Sequence, residues 1–173
     1  VTGQSFENTI QENTLSSRYD GIKLAAFLPP ATTNTLAKNT INAEGYDLLV
    51  AYGDLILSNQ PLASYYFGDE ISDAEGVHLK VETSNGVIEF LKGIQGTGVS
   101  LAGSILLGFN HAEVQHKENA FLNVPAKITL QGLRTDFTGP LIFKDGKVCP
   151  ETICTNITSL NQGNVSFIVN SWS

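Results

Sequence analysis

The sequence predicts an all-β protein in two parts. Residues 1–61 read as a short right-handed parallel β-helix, and residues 62–173 as an antiparallel β-sandwich joined to it. Two observations predict this. The stretch Asn8-Thr-Ile-Gln-Glu-Asn-Thr-Leu15 returns as Asn34-Thr-Leu-Ala-Lys-Asn-Thr-Ile41, an offset of 26 residues. Self-similarity at such a period marks stacked supersecondary units, none of which can bury its apolar face alone. Beyond residue 62 that period is lost, and short alternating stretches follow one another between turn signals, the pattern of an antiparallel sandwich.

The repeats are strand-like, because Thr and β-branched residues dominate and Ile10, Leu15, Leu36 and Ile41 are apolar islands rather than a helical stripe. Asn at a fixed corner suits a coil, since it tolerates the left-handed conformation and its amide can bond the next coil. The first coil takes residues 1–25, and Ile22 and Leu24 fall on Leu48 and Val50 at the same offset. Pro29 and Pro30 force the segment from Phe27 to Thr33 out of the sheet. Residues 34–51 form the second coil. Gly53 to Ser58 begins a third, ended by Asn59-Gln-Pro61.

In the second part, strands are expected at 62–67, 77–83 and 87–91, the last two joined by a type I′ turn at Asn85-Gly86. Residues 68–76 form an acidic loop, and Gly93 to Gly98 a glycine-rich one. Further strands are expected at 103–109, 111–117, 125–133, 140–144, 153–159 and 164–172, with a second hairpin turn at Asp145-Gly146.

Composition narrows the function. Charged residues are only 16%, against about 25% for soluble proteins generally, and Thr, Ser, Asn and Gly fill the gap. That balance suits an extracellular β-protein. The net charge of −7 and the lack of a Lys/Arg cluster argue against nucleic acid as a partner. No apolar run approaches the length of a transmembrane helix, so no membrane insertion is expected. The chain opens on Val and contains no Met, so it reads as a mature product or a fragment.

Cys149 and Cys154 lie in Cys-Pro-Glu-Thr-Ile-Cys. The reading is a disulfide closing a tight loop, which implies an oxidising compartment; two free thiols are the alternative. A zinc site needs more ligands than the scattered His78, His111 and His116 offer, so no metal and no cofactor is expected. Asn156-Ile-Thr158 and Asn164-Val-Ser166 are glycosylation acceptors.

Asp20 and Asp47, with Asp54 and Lys23 nearby, are the candidate acid–base set of a polysaccharide-processing β-helix enzyme. Asp residues beside Tyr19 and Tyr46 are more simply turn formers. Asp69, Glu70, Asp73 and Glu75 are a candidate calcium loop, but also an ordinary solvated one. Tyr65, Tyr66, Phe67, Tyr19, Tyr46 and Tyr52 are candidates for a sugar-stacking platform or for core.

The Asn-Thr-Ile and Asn-Thr-Leu repeats, with Asp20-Gly-Ile-Lys-Leu24, resemble those of the NosD-like parallel β-helix family of carbohydrate-binding and sugar-hydrolase type. Pro125 to Leu133, Lys144 to Cys149, Cys154 and Asn164 to Val169 resemble a C-terminal β-domain that follows such repeats in large exported archaeal proteins. The resemblance implies a secreted or cell-surface protein and carries no catalytic residues onto this chain. The expected function is therefore a non-enzymatic extracellular structural protein: a surface scaffold, adhesin or filament subunit assembling through β-strand edges. A carbohydrate-binding module is the alternative, and a polysaccharide-processing enzyme a more distant one. Expected partners are copies of the chain, or upstream coils of a longer parent, docking where Phe6, Ile10 and Leu15 form an apolar edge, with surface glycans as further ligands.

Overall fold

The computed structural model describes residues 7–24, 33–51, 53–68, 76–117 and 119–172, and the fold is all-β. The excursion through Pro29 and Pro30, Phe6, Tyr52 and the acidic loop from Asp69 to Glu75 lie outside the described residues.

The two repeats form two rungs. The first is β1 (Glu7–Gln11), β2 (Thr14–Ser17) and β3 (Ile22–Leu24); the second is β4 (Thr33–Ala37), β5 (Thr40–Ala43) and β6 (Leu48–Val50). Each strand pairs parallel with its counterpart at an offset of 26 residues: Asn8 with Asn34, Leu15 with Ile41, Ile22 with Leu48. The sequence repeat is thus the strand register itself. A third rung follows at shorter spacing. β7 (Gly53–Ser58) pairs parallel with β4, Thr33 opposite Asp54, and β8 (Ser64–Phe67) pairs parallel with β6, Leu48 opposite Tyr65.

Sequence periodicity places the end of the coils at residue 61, but the parallel ladders run through that point. β9 (Val77–Thr83) pairs parallel with β7, Gly53 opposite Val77. Only then does the sheet turn antiparallel, through β10 (Gly86–Phe90). The rungs lose their 26-residue spacing because the connections shorten, while the pairing persists.

The β9–β10 hairpin is centred one residue earlier than Asn85-Gly86. Thr83 pairs with Gly86, leaving Ser84 and Asn85 as the loop, and Asn85 is not at positive φ, so the turn is not type I′. Gly86 answers a different demand: a Cβ there would lie 2.1 Å from the Thr129 carbonyl oxygen. The glycine-rich stretch is also not a loop. Gly96–Val99 is strand β11, antiparallel to β8. A Cβ on Gly98 would sit 2.4 Å from the Tyr65 hydroxyl, so glycine there makes room for a buried ring.

One helical turn, α1 (Leu101–Ser104), leads into the hairpin β12 (Ile105–Gly108) and β13 (His111–Val114). A 3-10 turn spans Ala120–Leu122. Then come β14 (Ala126–Leu130), the small hairpin β15 (Phe143–Lys144) and β16 (Lys147–Val148), β17 (Cys154–Asn156) and β18 (Val165–Val169). Asp145 and Gly146 both have positive φ, as a type I′ turn requires.

The largest sheet runs β1-β4-β7-β9-β10-β14-β18-β17. Register carries one apolar column across it: Ile10, Leu36, Leu57, Val81, Ile88, Ile128 and Phe167 stand side by side on successive strands. A second sheet, β11-β8-β6-β3, contributes Ile22, Leu48, Val50, Tyr65 and Phe67 to the same core.

Polar corners lock the rungs. The Asn13 backbone N–H and side-chain amide both donate to Asn39 Oδ1, at 3.0 and 3.1 Å. Asn39 in turn donates through N–H and Nδ2 to Gln60 Oε1, at 2.8 and 2.9 Å, and its Nδ2 reaches the Ile10 carbonyl. Asn39 is fully buried, so each of these groups needs its partner. Asn39→Ala should therefore lower stability by about 2–4 kcal/mol, since it removes the Oδ1 acceptor of both Asn13 bonds and the Nδ2 donor to Gln60 Oε1 and the Ile10 carbonyl, leaving only the backbone N–H on Gln60 Oε1. Asn8→Ala, which removes one half-exposed bond to Asn34, should cost about 1 kcal/mol or less. Urea unfolding of the two variants side by side checks the contrast.

Candidate functional site

The carboxylates proposed as an acid–base pair are used by the backbone. Asp20 Oδ1 accepts the Tyr46 N–H at 3.1 Å. One rung on, buried Asp47 accepts the N–H groups of Ala63 at 2.8 Å and Ser64 at 3.4 Å. Both therefore clasp the following rung at the same corner. Asp54 lies in the other sheet, 3.2 Å from His78 Nδ1 and 3.5 Å from Thr33 Oγ1. Lys23 is exposed on the edge strand β3. The structure does not gather these four side chains into one constellation.

The aromatics divide. Tyr65 and Phe67 alternate inward into the core, with ring centroids 5.0 Å apart. Tyr66 alternates outward and meets Tyr46 at 5.6 Å and a 42° tilt. Tyr19 is 82% exposed. Tyr46 and Tyr66 are thus the part of the expected platform that the fold brings together.

Sequence reasoning missed a buried polar chain that ties the rungs to the second part. The Tyr65 hydroxyl donates to Asn119 Oδ1 at 3.1 Å, Asn119 Nδ2 donates to Ser104 Oγ at 2.8 Å, and Ser104 Oγ donates to the Ser100 carbonyl at 3.2 Å. Burial pushes the Tyr65 phenol up to about 12.

Sequence reasoning also missed a cleft of about 1120 Å³. Its floor is the core face of β14 and β18, including Ile128, Leu130 and Phe167. One wall is β13, and the other is the run from Phe137 to Gly146, irregular until β15. Phe137, Leu141 and Phe143 on that run are 45%, 59% and 62% exposed. Two pairs sit at its margin: His111 Nε2 lies 3.4 Å from Glu113, and Lys144 Nζ 3.0 Å from Asp145. Such a cleft offers mainly apolar surface. The concentration of apolar residues around Pro140 was its one sequence signal.

Cys149 and Cys154 are bonded to each other across a turn in which the Pro150 carbonyl accepts from Ile153 and Cys154. Asn156, on the edge strand β17, and Asn164, just before β18, are both exposed. The Thr158 hydroxyl accepts the Ser166 N–H at 2.8 Å, so the two acceptor sequences face each other across adjacent chain segments.

At the opposite end, burial falls off along the stack. Leu36 and Leu48 are fully buried in the second rung, and Val50 nearly so. Of their first-rung counterparts, Ile22 is buried while Ile10 and Leu24 are only partly buried, as are Leu15 and Ile41 in the shortest ladder. Among the described residues, no strand pairs the outer edges of β1, β2 or β3. Neither a family model nor a curated protein nor a solved structure matches this chain.

The Tyr65 shift has a signed consequence. A folded-state pKa above the unfolded value near 10 means the folded chain holds that proton more tightly. The associated stability is whole below about pH 10 and is lost as pH rises from there toward 12, a change of roughly 2–3 kcal/mol. Ultraviolet titration should show one tyrosine ionising late, and Tyr65→Phe should abolish that step and flatten the alkaline decline in Tm.

The disulfide closes a loop of only six residues, so the chain-entropy gain is about 2 kcal/mol. Reduction should lower the unfolding free energy by about that amount and raise the intact mass by two hydrogens. Alkylation of both cysteines without reductant would refute the bridge.

Proposed function

We propose that the chain is a non-enzymatic extracellular or cell-surface structural protein that assembles through β-strand edges. In this reading the three rungs are a short right-handed parallel β-helix, resembling NosD-like repeats, and the second part is an antiparallel β-sandwich welded to it. The observation that carries the proposal is the falling burial from the second rung to the first, beside three strand edges that no described strand pairs. Partly exposed apolar residues next to open backbone edges are a pairing surface. The carboxylates that an enzyme of this shape would need are instead hydrogen-bonded into the rung corners. A disulfide, and the lack of any described helix long and apolar enough to cross a membrane, are compatible with secretion.

A carbohydrate-binding role is the second reading, favoured by the Tyr46–Tyr66 pair and by exposed Tyr19, whose carbonyl accepts the N–H of Gly45 beside Tyr46 at 3.2 Å. A glycan array separates the two: binding that disappears in Tyr46→Ala and Tyr66→Ala would favour the module over the scaffold.

Material from the native source should be recovered outside the cell or on its surface, and should carry glycans on Asn156 or Asn164. Cell fractionation with glycopeptide mass spectrometry makes the test. A cytosolic protein with both asparagines bare would sink the extracellular assignment.

A further inference from the structure

We propose that the acceptor sequences at Asn156 and Asn164 are locked by the pairing of β17, β18 and β14, so that their glycans are attached before those strands pair. The inference rests on the reading of the chain as an extracellular glycoprotein, and it fixes when that modification takes place.

The acceptor motif is an Asn with a hydroxyl two residues on, and it is read on a surface loop. The folded chain offers neither sequence in that form. Asn156 lies on β17, opposite Phe167. Ile157 and Thr158 both donate their N–H groups to the Ser166 carbonyl, at 2.9 and 3.1 Å. The Thr158 hydroxyl accepts the Ser166 N–H at 2.8 Å. The first acceptor sequence is therefore tied along its length to the end of the second.

The second is held from its other side. Val165 and Ser166 belong to β18, which lies between β14 and β17 in the large sheet. Ser166 stands opposite Thr129, with the two hydroxyl oxygens 2.8 Å apart. Ser166 is thus the common lock. Its N–H and carbonyl close the first sequence, and its own hydroxyl, which the second sequence needs, is engaged with Thr129. Cys154, the first residue of β17, is bridged to Cys149, which adds a covalent restraint on the same strand. The two asparagines are nonetheless exposed, so the fold has room for a glycan once it is attached.

The chemistry explains why this order matters. Transfer joins the Asn side-chain nitrogen to the first sugar of a lipid-phosphate-linked oligosaccharide. The new carbon–nitrogen bond forms as the sugar–phosphate bond breaks; the lipid phosphate leaves with the bonding pair, and the amide gives up one proton. The enzyme must reach both the amide and the hydroxyl. For Asn156 that requires β17 to leave β18, and for Asn164 it requires β18 to leave β14. Paired strands within a sheet open rarely compared with loops.

The test uses the full chain with an oligosaccharyltransferase and its lipid-linked oligosaccharide, in two states. In one, the enzyme is added to folded protein made without it; in the other, the chain is synthesised into vesicles that carry it. Gly163→Ser supplies a control in the same folded chain, because it completes an acceptor sequence that starts at Asn161. Asn161 and Gln162 are exposed and lie outside any strand, and a Cβ at Gly163 meets nothing closer than the Leu133 carbonyl oxygen at 3.9 Å. Near-ultraviolet circular dichroism checks that the variant is native, and glycopeptide mass spectrometry reads all three sites. The expected result is occupancy at Asn156 and Asn164 during synthesis, falling about tenfold or more on folded protein, with Asn161 of the variant modified in both states. Folded protein modified at Asn156 or Asn164 as readily as at Asn161 overturns the order of events and leaves the glycoprotein reading standing. Folded protein bare at Asn161 as well overturns strand pairing as the cause, since that site lies outside the paired strands. Asn156 and Asn164 bare in both states overturn the glycoprotein reading and this inference with it.

Discussion

Strand register is the constraint on which the rest of this structure depends. Side chains alternate faces along a strand, so a slip of one residue would throw every apolar side chain to the wrong face. Here a single register is held through seven of the eight strands, and Ile10, Leu36, Leu57, Val81, Ile88, Ile128 and Phe167 stand in one line. The line crosses the change from parallel to antiparallel pairing between β9 and β10 without a break. The two parts of the chain therefore share a core and a sheet, and neither closes its hydrophobic face without the other.

Backbone polarity is the second demand, and the corners meet it. A buried corner cannot leave N–H groups bare. Asn39 and Gln60 answer one corner with amides that both donate and accept, while Asp20 and Asp47 answer another with carboxylates that only accept. Those assignments follow from what each corner offers: an N–H and a carbonyl at the first, N–H groups at the second. Chemistry that a sequence reader would reserve for catalysis is thus spent on holding rungs together. The Tyr65–Asn119–Ser104 chain plays the same part between the third rung and α1.

The first two rungs were legible in the sequence because their register equals their period: Asn8 pairs with Asn34, and Asn13 bonds Asn39. The third rung was not, because shorter connections shift Tyr65 to within 17 residues of Leu48 and Val77 to within 24 of Gly53. A ladder needs matched strands and not matched loops, so periodicity is a sufficient signal but not a necessary one. The strand at Gly96–Val99 was hidden for another reason. Its glycines suggest a loop by propensity, yet packing against Tyr65 overrides propensity. The hairpin at Ser84-Asn85 was displaced by one residue because Gly86 answers to Thr129 across the sheet rather than to its own turn. The cleft under residues 137–146 had no periodic signature at all, since one of its walls is irregular chain.

These features bear differently on function. The corners and the apolar column are satisfied within the chain, so they explain stability and specify no partner. The cleft is open, with two internal ion pairs at its margin. The first rung differs from both. It repeats the apolar pattern of the second rung, and Ile22 is buried as Leu48 is, yet Ile10 and Leu24 keep the exposure that Leu36 and Val50 have lost. The same sequence pattern in two environments is an internal control: the second rung shows how far these side chains bury when a rung lies on each side. Among the described residues, the first rung has a stacked neighbour on one side only.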